Sequence, residues 1–400
     1  MTFGAHHNLM LVLLMSLLAP FGAWAETPDS ATDNGAAIEE VADGETVTPP
    51  TEFDGIPLPL QVSGEDTIKL AEAILPGSFR RNRSSSHVVY TDSDWDSLTH
   101  IRNVLNRSWI EYRNFCRRMD VVVPRPDEKL VCIVFDQHDD FLEFALNTEG
   151  NQAILEHADG YFSPRYDWIV FFEPHHHQTA EEAYAQLDQQ RDMLANERSG
   201  VMLRELPPEE ISRLQSKWTW QDEQLNYARD NIEAWADGQR TTVAVHESIH
   251  QFTHVCHTWP GKQRWPIWLH EGLATSFETP DANHGFGPDQ LNVERDYQFI
   301  SCLDQAQLVD LRTFLSERAY GDETEETLRV LYPQSYGLVT WLYEYRKPYL
   351  AKFLKRLSAP PSEDGVDDPV ALFEEIFGDI DALESRWHRN ESTDWRTKRH

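Results

Sequence analysis

Five consecutive residues, His246-Glu247-Ser248-Ile249-His250, carry the residue types and the spacing for metal chemistry. On a helix, side chains four apart leave the same face, so the two imidazoles point the same way. That is the geometry for two ligands of one Zn²⁺. After 20 intervening residues, the segment Trp268-Leu269-His270-Glu271-Gly272-Leu273-Ala274 offers Glu271 as a third ligand on a second helix. Two His and one Glu leave the fourth tetrahedral position open, which distinguishes a catalytic from a structural site. Glu247, beside the ligands, is placed to take a proton from a water activated by the ion. Glu278 lies two turns beyond Glu271 and is placed to accept a hydrogen bond from a ligating imidazole.

These residues need helices to hold them. Thr241 and Thr242 precede the apolar-periodic run Val243, Val245, Ile249 and Phe252, which predicts a capped helix under the His pair. Pro266 suits the first turn of the helix carrying Glu271. A developing oxyanion needs a donor beside the metal, and a tyrosine hydroxyl is a good one. Tyr332 and Tyr336, in Tyr332-Pro333-Gln334-Ser335-Tyr336, are the candidates. Pro333 suits a first helical turn, which puts Tyr332 at an N-terminal boundary facing the cleft. Tyr336 shares a stripe with Val339, Thr340 and Tyr343 and reads as a core aromatic. His254, His257 and His270 are nearby but surplus to a three-ligand set. His175, His176 and His177 cannot all face one ion from a regular element and read as a solvated loop.

The motifs H-E-S-I-H and W-L-H-E-G-L-A-T-S-F-E resemble those of the gluzincin metallopeptidases, the clan of thermolysin and the zinc aminopeptidases. From about His87 to the C-terminus the chain is similar to a group of poorly characterised exported bacterial proteins classed as peptidase-like gluzincins. The similarity runs in order through H-V-V-Y-T-D, L-V-C-I-V-F-D, G-Y-F-S-P-R-Y-D-W-I-V-F-F, the two zinc motifs and Y-P-Q-S-Y-G-L-V. The resemblance implies that His246, His250 and Glu271 are ligands and Glu247 the catalytic base. It also implies that Trp168–Phe172 is an edge strand pairing with extended substrate. The G-x-M-E-N signature by which aminopeptidases hold a free amino terminus is absent, so the resemblance does not extend to exopeptidase specificity.

The apolar run Leu9 to Phe21, ending in Ala23-Trp24-Ala25, reads as a secretory signal cleaved after Ala25, too short for a comfortable membrane span. The expectation is an exported protein, periplasmic or extracellular, with no membrane span after cleavage. Residues 26–60, rich in Ala, Asp, Glu, Thr and Pro, read as a disordered acidic linker. With 67 Asp and Glu against 35 Lys and Arg, the net charge of −32 argues against nucleic-acid and anionic-membrane partners. Cys116, Cys132, Cys256 and Cys302 permit three disulfide pairings in an oxidising compartment, with Cys116–Cys132 and Cys256–Cys302 the local-order choice and buried free thiols the alternative.

From His87 the pattern alternates. A strand at His87–Tyr90 precedes a helix capped by Ser93 or Asp94 and running to about Arg118. Strand Leu130–Phe135, a short helix at Phe141–Leu146 and a hairpin over Gly160–Phe172 follow. Residues 61–178 thus form an α/β sheet subdomain. Residues 179–238 read as an inserted αα-hairpin. Its first arm carries Tyr184, Leu187 and Leu194, its second a stripe from Ile211 to Trp235, and Gly238 ends it. That insertion packs on the domain, gates the cleft or binds a protein partner. Residues 239–400 form a mostly helical subdomain. The fold class is α+β and zincin-like: a small mixed sheet with an edge strand, then a helical half carrying the HExxH and EGLA helices. The expected function is an exported zinc-dependent peptidase that hydrolyses peptide bonds of a peptide or protein substrate with a zinc-activated water and a Glu base. The alternative is a secreted binding or assembly module that keeps a zinc site without proteolysis.

Overall fold

In the computed structural model the described residues are 50–150, 158–202, 206–256, 266–316, 325–357 and 368–398. The expected signal segment, most of the linker and His257 lie outside them. The described chain begins with a two-stranded ribbon, β1 (Glu52–Phe53) and β2 (Ile56–Pro57). Leu58 is buried, and Phe53 and Ile56 pack on the same core. The linker expected to reach residue 60 therefore gives way to packed structure by Glu52: Phe53, Ile56 and Leu58 supply the apolar surface that the preceding stretch lacks. Helix α1 (Glu65–Ile74) follows, then β3 (Arg80–Arg83), β4 (His87–Thr91) and α2 (Trp95–Arg118). The Asp94 carboxylate accepts from the Ser97 N–H and caps α2.

Strand β5 (Leu130–Phe135), helix α3 (His138–Glu149) and strands β6 (Gly160–Ser163) and β7 (Trp168–Phe172) complete a five-stranded sheet of order β3-β4-β5-β7-β6. The three central strands are parallel, and β3 and β6 run antiparallel at the two edges. Every residue of β4, β5 and β7 is buried, because both faces of the sheet are covered. The period-2 alternation divides them. Val88, Tyr90, Val131, Ile133, Phe135, Trp168, Val170 and Phe172 face α1 and α3. Val89, Cys132, Val134, Ile169 and Phe171 face α2 and the helical half. Trp168–Phe172 is therefore an interior strand. The edge position belongs to β6, whose sequence Gly-Tyr-Phe-Ser is short and only partly buried.

A 3₁₀ turn at Pro174–His176 leads into α4 (Gln178–Met202) and then α5 (Pro208–Val255). Helix α5 is 48 residues long and runs unbroken from the insertion into the His pair. Gly238 does not end it. A Cβ there would stand 3.2 Å from Pro280 Cβ, so this glycine admits the loop after the EGLA segment. The αα-hairpin is real, with Leu187, Leu194, Trp218, Leu225 and Ile232 forming its own small core. Its second arm continues without a break into the helix that carries His246 and His250.

The remaining described elements are helices: α6 (Ile267–Phe277), α7 (Val293–Asp304), α8 (Leu311–Ser316), α9 (Glu325–Tyr345), α10 (Lys347–Leu357), α11 (Pro369–Phe377) and α12 (Ile380–Lys398). The α6–α9 contact explains the glycine of the EGLA segment. A Cβ on Gly272 would collide with the Ser335 carbonyl oxygen and stand 2.6 Å from Val339 Cγ2. Pro333 lies inside α9, not in its first turn. The buried Gln334 next to it exchanges two hydrogen bonds with the Val309 backbone, fixing this part of α9 in place. All four cysteines are free and buried, which corrects the local-order pairing. Each sits within packed core, and burial pushes the thiols of Cys116 and Cys256 up to about 12, so they stay protonated. Among the described residues no helix is long and apolar enough to cross a membrane.

Candidate metal centre

Helix α5 is anchored before it presents any ligand. Two buried latches hold it to the sheet. In the first, Arg240 Nε donates to Glu173 Oε2 at 2.6 Å, and the Ser97 hydroxyl donates to the other oxygen of that carboxylate. In the second, Gln251 Nε2 donates to the Val131 carbonyl at 3.0 Å and to the Asp167 carbonyl at 2.7 Å. Gln251 Oε1 in turn accepts from His87 Nε2 at 3.0 Å. Burial lowers His87 to about 4, so its ring is neutral and its Nε2–H is the donor. Helix α2 lies alongside, with the Trp109 and Tyr112 rings 5.1 and 5.6 Å from Phe252.

The opposite face of α5 carries the ligand set. His246 Nε2 and His250 Nε2 face each other at 3.0 Å. Glu271 Oε2 lies 3.3 Å from the former nitrogen and Oε1 lies 3.5 Å from the latter. The ligand atoms of these three residues all lie within 4.8 Å of one another, and the group can hold a metal ion. Glu271 Oε2 is a buried oxygen with no hydrogen-bond donor. A buried carboxylate whose two oxygens each face a ring nitrogen at 3.3 and 3.5 Å, one of them without a well-formed hydrogen bond, is better satisfied when a cation joins the three groups. The donors are two imidazoles and one carboxylate, a set that suits Zn²⁺.

The surroundings fix which nitrogen faces the centre. His246 Nδ1 lies 2.8 Å from Glu278 Oε1, and Arg295 donates to both oxygens of that carboxylate, at 2.6 and 2.8 Å. Burial alone would raise Glu278, but Arg295 and His246 outweigh it and hold the carboxyl down at about 2. An ionised Glu278 accepts, so Nδ1 of His246 carries hydrogen and Nε2 is the nitrogen turned inward. Glu271 behaves likewise: burial pushes it up, while His250, His246 and His270 hold it well below the usual carboxylate range. His246 loses basicity to burial but gains more from Glu271, Glu278 and Glu247, reaching about 10. The pocket therefore binds positive charge, and a divalent cation would displace that proton.

Glu247 is buried, and desolvation raises it to about 7, where a general base works best. His270 stacks on His250 with ring centroids 3.8 Å apart and its Nδ1 lies 3.3 Å from Glu271 Oε1. It braces the ligands from outside the three-residue group. Tyr332 sits within α9, its ring 6.2 Å from that of His246. The site is reached from the helix interior, not from the helix boundary that Pro333 suggested. Tyr336 is 2% exposed, and its hydroxyl is tied to the Asn292 backbone, accepting from N–H at 3.3 Å and donating to the carbonyl at 3.4 Å. That hydroxyl holds the start of α7, away from the ligand set.

The remaining histidines go elsewhere. His254 lies 3.4 Å from Asp167 and packs on Phe162. His175 Nδ1 accepts from Arg240, His176 lies between Asp136 and Glu181, and His177 faces Asp159. They brace the base of the hairpin and are half-buried instead of a solvated loop. Sequence reasoning missed Arg295, Gln251, His87 and the Glu173–Arg240 pair. Gln251 follows the second ligand directly and His87 opens a fully buried strand, and polar residues in such places signal a buried partner.

A family model described as a protein of unknown function, DUF1570, matches residues 240–363. The match begins at the latch residue Arg240, includes both metal motifs and Tyr332, and leaves out the sheet. No curated protein matches the chain.

Proposed function

We propose that this chain is a zinc-dependent peptidase of gluzincin type, exported from the cell that makes it. The observation that carries the reading is the convergence of His246, His250 and Glu271 with the buried carboxyl of Glu247 next to the first ligand. A structural zinc site has no use for a poised base.

When bound there, a zinc ion supplies Lewis acidity to the scissile carbonyl and to the attacking water. Glu247 accepts the water proton and returns it to the leaving amine. The hydroxyl of Tyr332, kept protonated by burial and by Glu271 and Glu247, donates to the oxyanion that develops on the carbonyl. His246 keeps its orientation through Glu278, and His250 through the stacked His270. The substrate adds in extended form along β6, the outermost strand on this side of the sheet. Gly160 of β6 packs so closely on α5 that an added Cβ would lie 2.9 Å from Val243 Cγ1, which brings the edge strand against the metal helix.

The test is cleavage of an unfolded protein substrate by the purified chain. Activity abolished by a chelator and restored by Zn²⁺ supports the reading. Stoichiometric zinc with no cleavage across a peptide library would favour the binding-module alternative.

A further inference from the structure

Glu278 ends α6 in extended backbone, φ −52° and ψ 136°, so no helix holds its side chain. Its carboxylate is nonetheless fixed at both oxygens. Oε2 accepts from Arg295 Nε at 2.6 Å, and Oε1 accepts from Arg295 Nη2 at 2.8 Å and lies 2.8 Å from His246 Nδ1. This is the paired fork geometry that a guanidinium provides and an ammonium does not. The two side chains are 7% and 4% exposed.

The chain goes to some length to bring Arg295 there. After Glu278 it leaves through a loop and returns at Asn292. The Asn292 side chain donates to the Glu278 carbonyl at 3.3 Å and caps α7 by accepting from the Arg295 N–H at 3.2 Å. Tyr336 pins the Asn292 backbone from α9. Each nitrogen of the guanidinium then has a partner. Nη1 donates to Gln298 at 3.0 Å, and the group lies 5.7 Å from the centre of the Tyr332 ring. One buried cation thus touches both the carboxylate that orients a ligand and the tyrosine beside the centre.

We propose that Arg295 is a positioning residue of the metal centre: it locks the Glu278 carboxylate so that His246 is presented with Nε2 inward, and it seats the Tyr332 ring. The inference rests on the metal-site reading above. A purely structural ion pair would leave the metal affinity of a folded variant unchanged. A positioning pair would not, because loss of such a partner typically lowers affinity by about 10–100-fold.

The experiment is competition for Zn²⁺ between a chromophoric chelator and the full chain. It compares wild type with Arg295→Met, Arg295→Lys, Glu278→Gln and the Arg295→Met/Glu278→Gln double variant, with circular dichroism of the metal-free proteins as the folding control. Arg295→Met should lose affinity about 10–100-fold. Arg295→Lys, which keeps the charge but not the fork, should fall between it and wild type, and it keeps the test open if the methionine variant does not fold. In the Glu278→Gln background Arg295→Met should cost nothing further, since Arg295 acts through that carboxylate. Wild-type affinity in a folded Arg295→Met or Arg295→Lys chain, or losses that add in the double variant, would overturn the inference alone. A wild-type chain that binds no Zn²⁺ would overturn the metal-site reading and this inference with it.

Discussion

Gln251→Leu should unfasten the metal helix without touching a ligand. Leucine nearly matches glutamine in volume, so the change is one of polarity. Gln251 is fully buried and serves three groups: the Val131 carbonyl, the Asp167 carbonyl and the His87 Nε2–H. A buried polar group stripped of its partner costs about 1–3 kcal/mol. With the leucine gaining some apolar burial in return, the net loss should be on the order of 3–5 kcal/mol. That is a large fraction of the ~5–15 kcal/mol that keeps a typical domain folded. Chemical denaturation of the metal-free chain should show a clear fall in midpoint at unchanged slope. Zinc affinity should fall too, because the latch lies one residue beyond His250. A loss below about 1 kcal/mol would refute the argument that this side chain carries the helix–sheet junction.

Three other predictions follow from the same geometry. His87 is held neutral down to about 4, below the 6.5 of an unfolded histidine, so between those values the unfolded chain binds more protons and stability falls as pH falls. The shift corresponds to roughly 3 kcal/mol across that window, and denaturation midpoints at pH 7 and pH 4.5 should converge in His87→Gln; an undiminished pH slope would place the titrating group elsewhere. Glu271→Ala should abolish stable zinc binding, since two imidazoles remain, while Glu278→Ala should lower affinity only about 10–100-fold; the reverse order by metal analysis would exchange their roles. Tyr332→Phe should lower kcat with little change in KM or zinc content, because its hydrogen bond forms mainly in the transition state, whereas Tyr336→Phe should lower the melting temperature and leave kcat alone; the opposite pattern would move the oxyanion donor one turn along α9.

The ligand set was legible because it is local. The spacing of His246 and His250 encodes one helix face and Glu271 follows on the next helix, so the structure brings these three together; Glu278 reaches His246 from just past the end of that helix, not from its face. What was not legible is whatever closes over long loops or depends on neighbours in space. Arg295 reaches Glu278 across a loop that no periodicity describes. The resemblance places Trp168–Phe172 at the sheet edge, whereas its run of five apolar residues suits a strand covered on both faces, and all five are buried. The shorter Gly160–Ser163 takes that edge. Gly238 and Pro333 both signal helix ends in isolation. Tertiary packing overrides them: Gly238 admits Pro280, and Pro333 is followed by a glutamine locked onto Val309. Local propensity is a weak prior once a helix is buried on several sides.

The most direct test of the account compares wild type with Glu247→Gln for zinc content and peptide hydrolysis in the same preparations. Glutamine keeps the shape of the buried side chain, leaves His246, His250 and Glu271 in place, and removes the base. Both proteins should carry one zinc per chain, and the variant's rate should be several orders of magnitude lower, of which general-base catalysis alone accounts for about 10²–10⁴-fold. Equal zinc with near-wild-type turnover, or a wild-type chain that neither binds zinc nor cleaves any peptide, would contradict it.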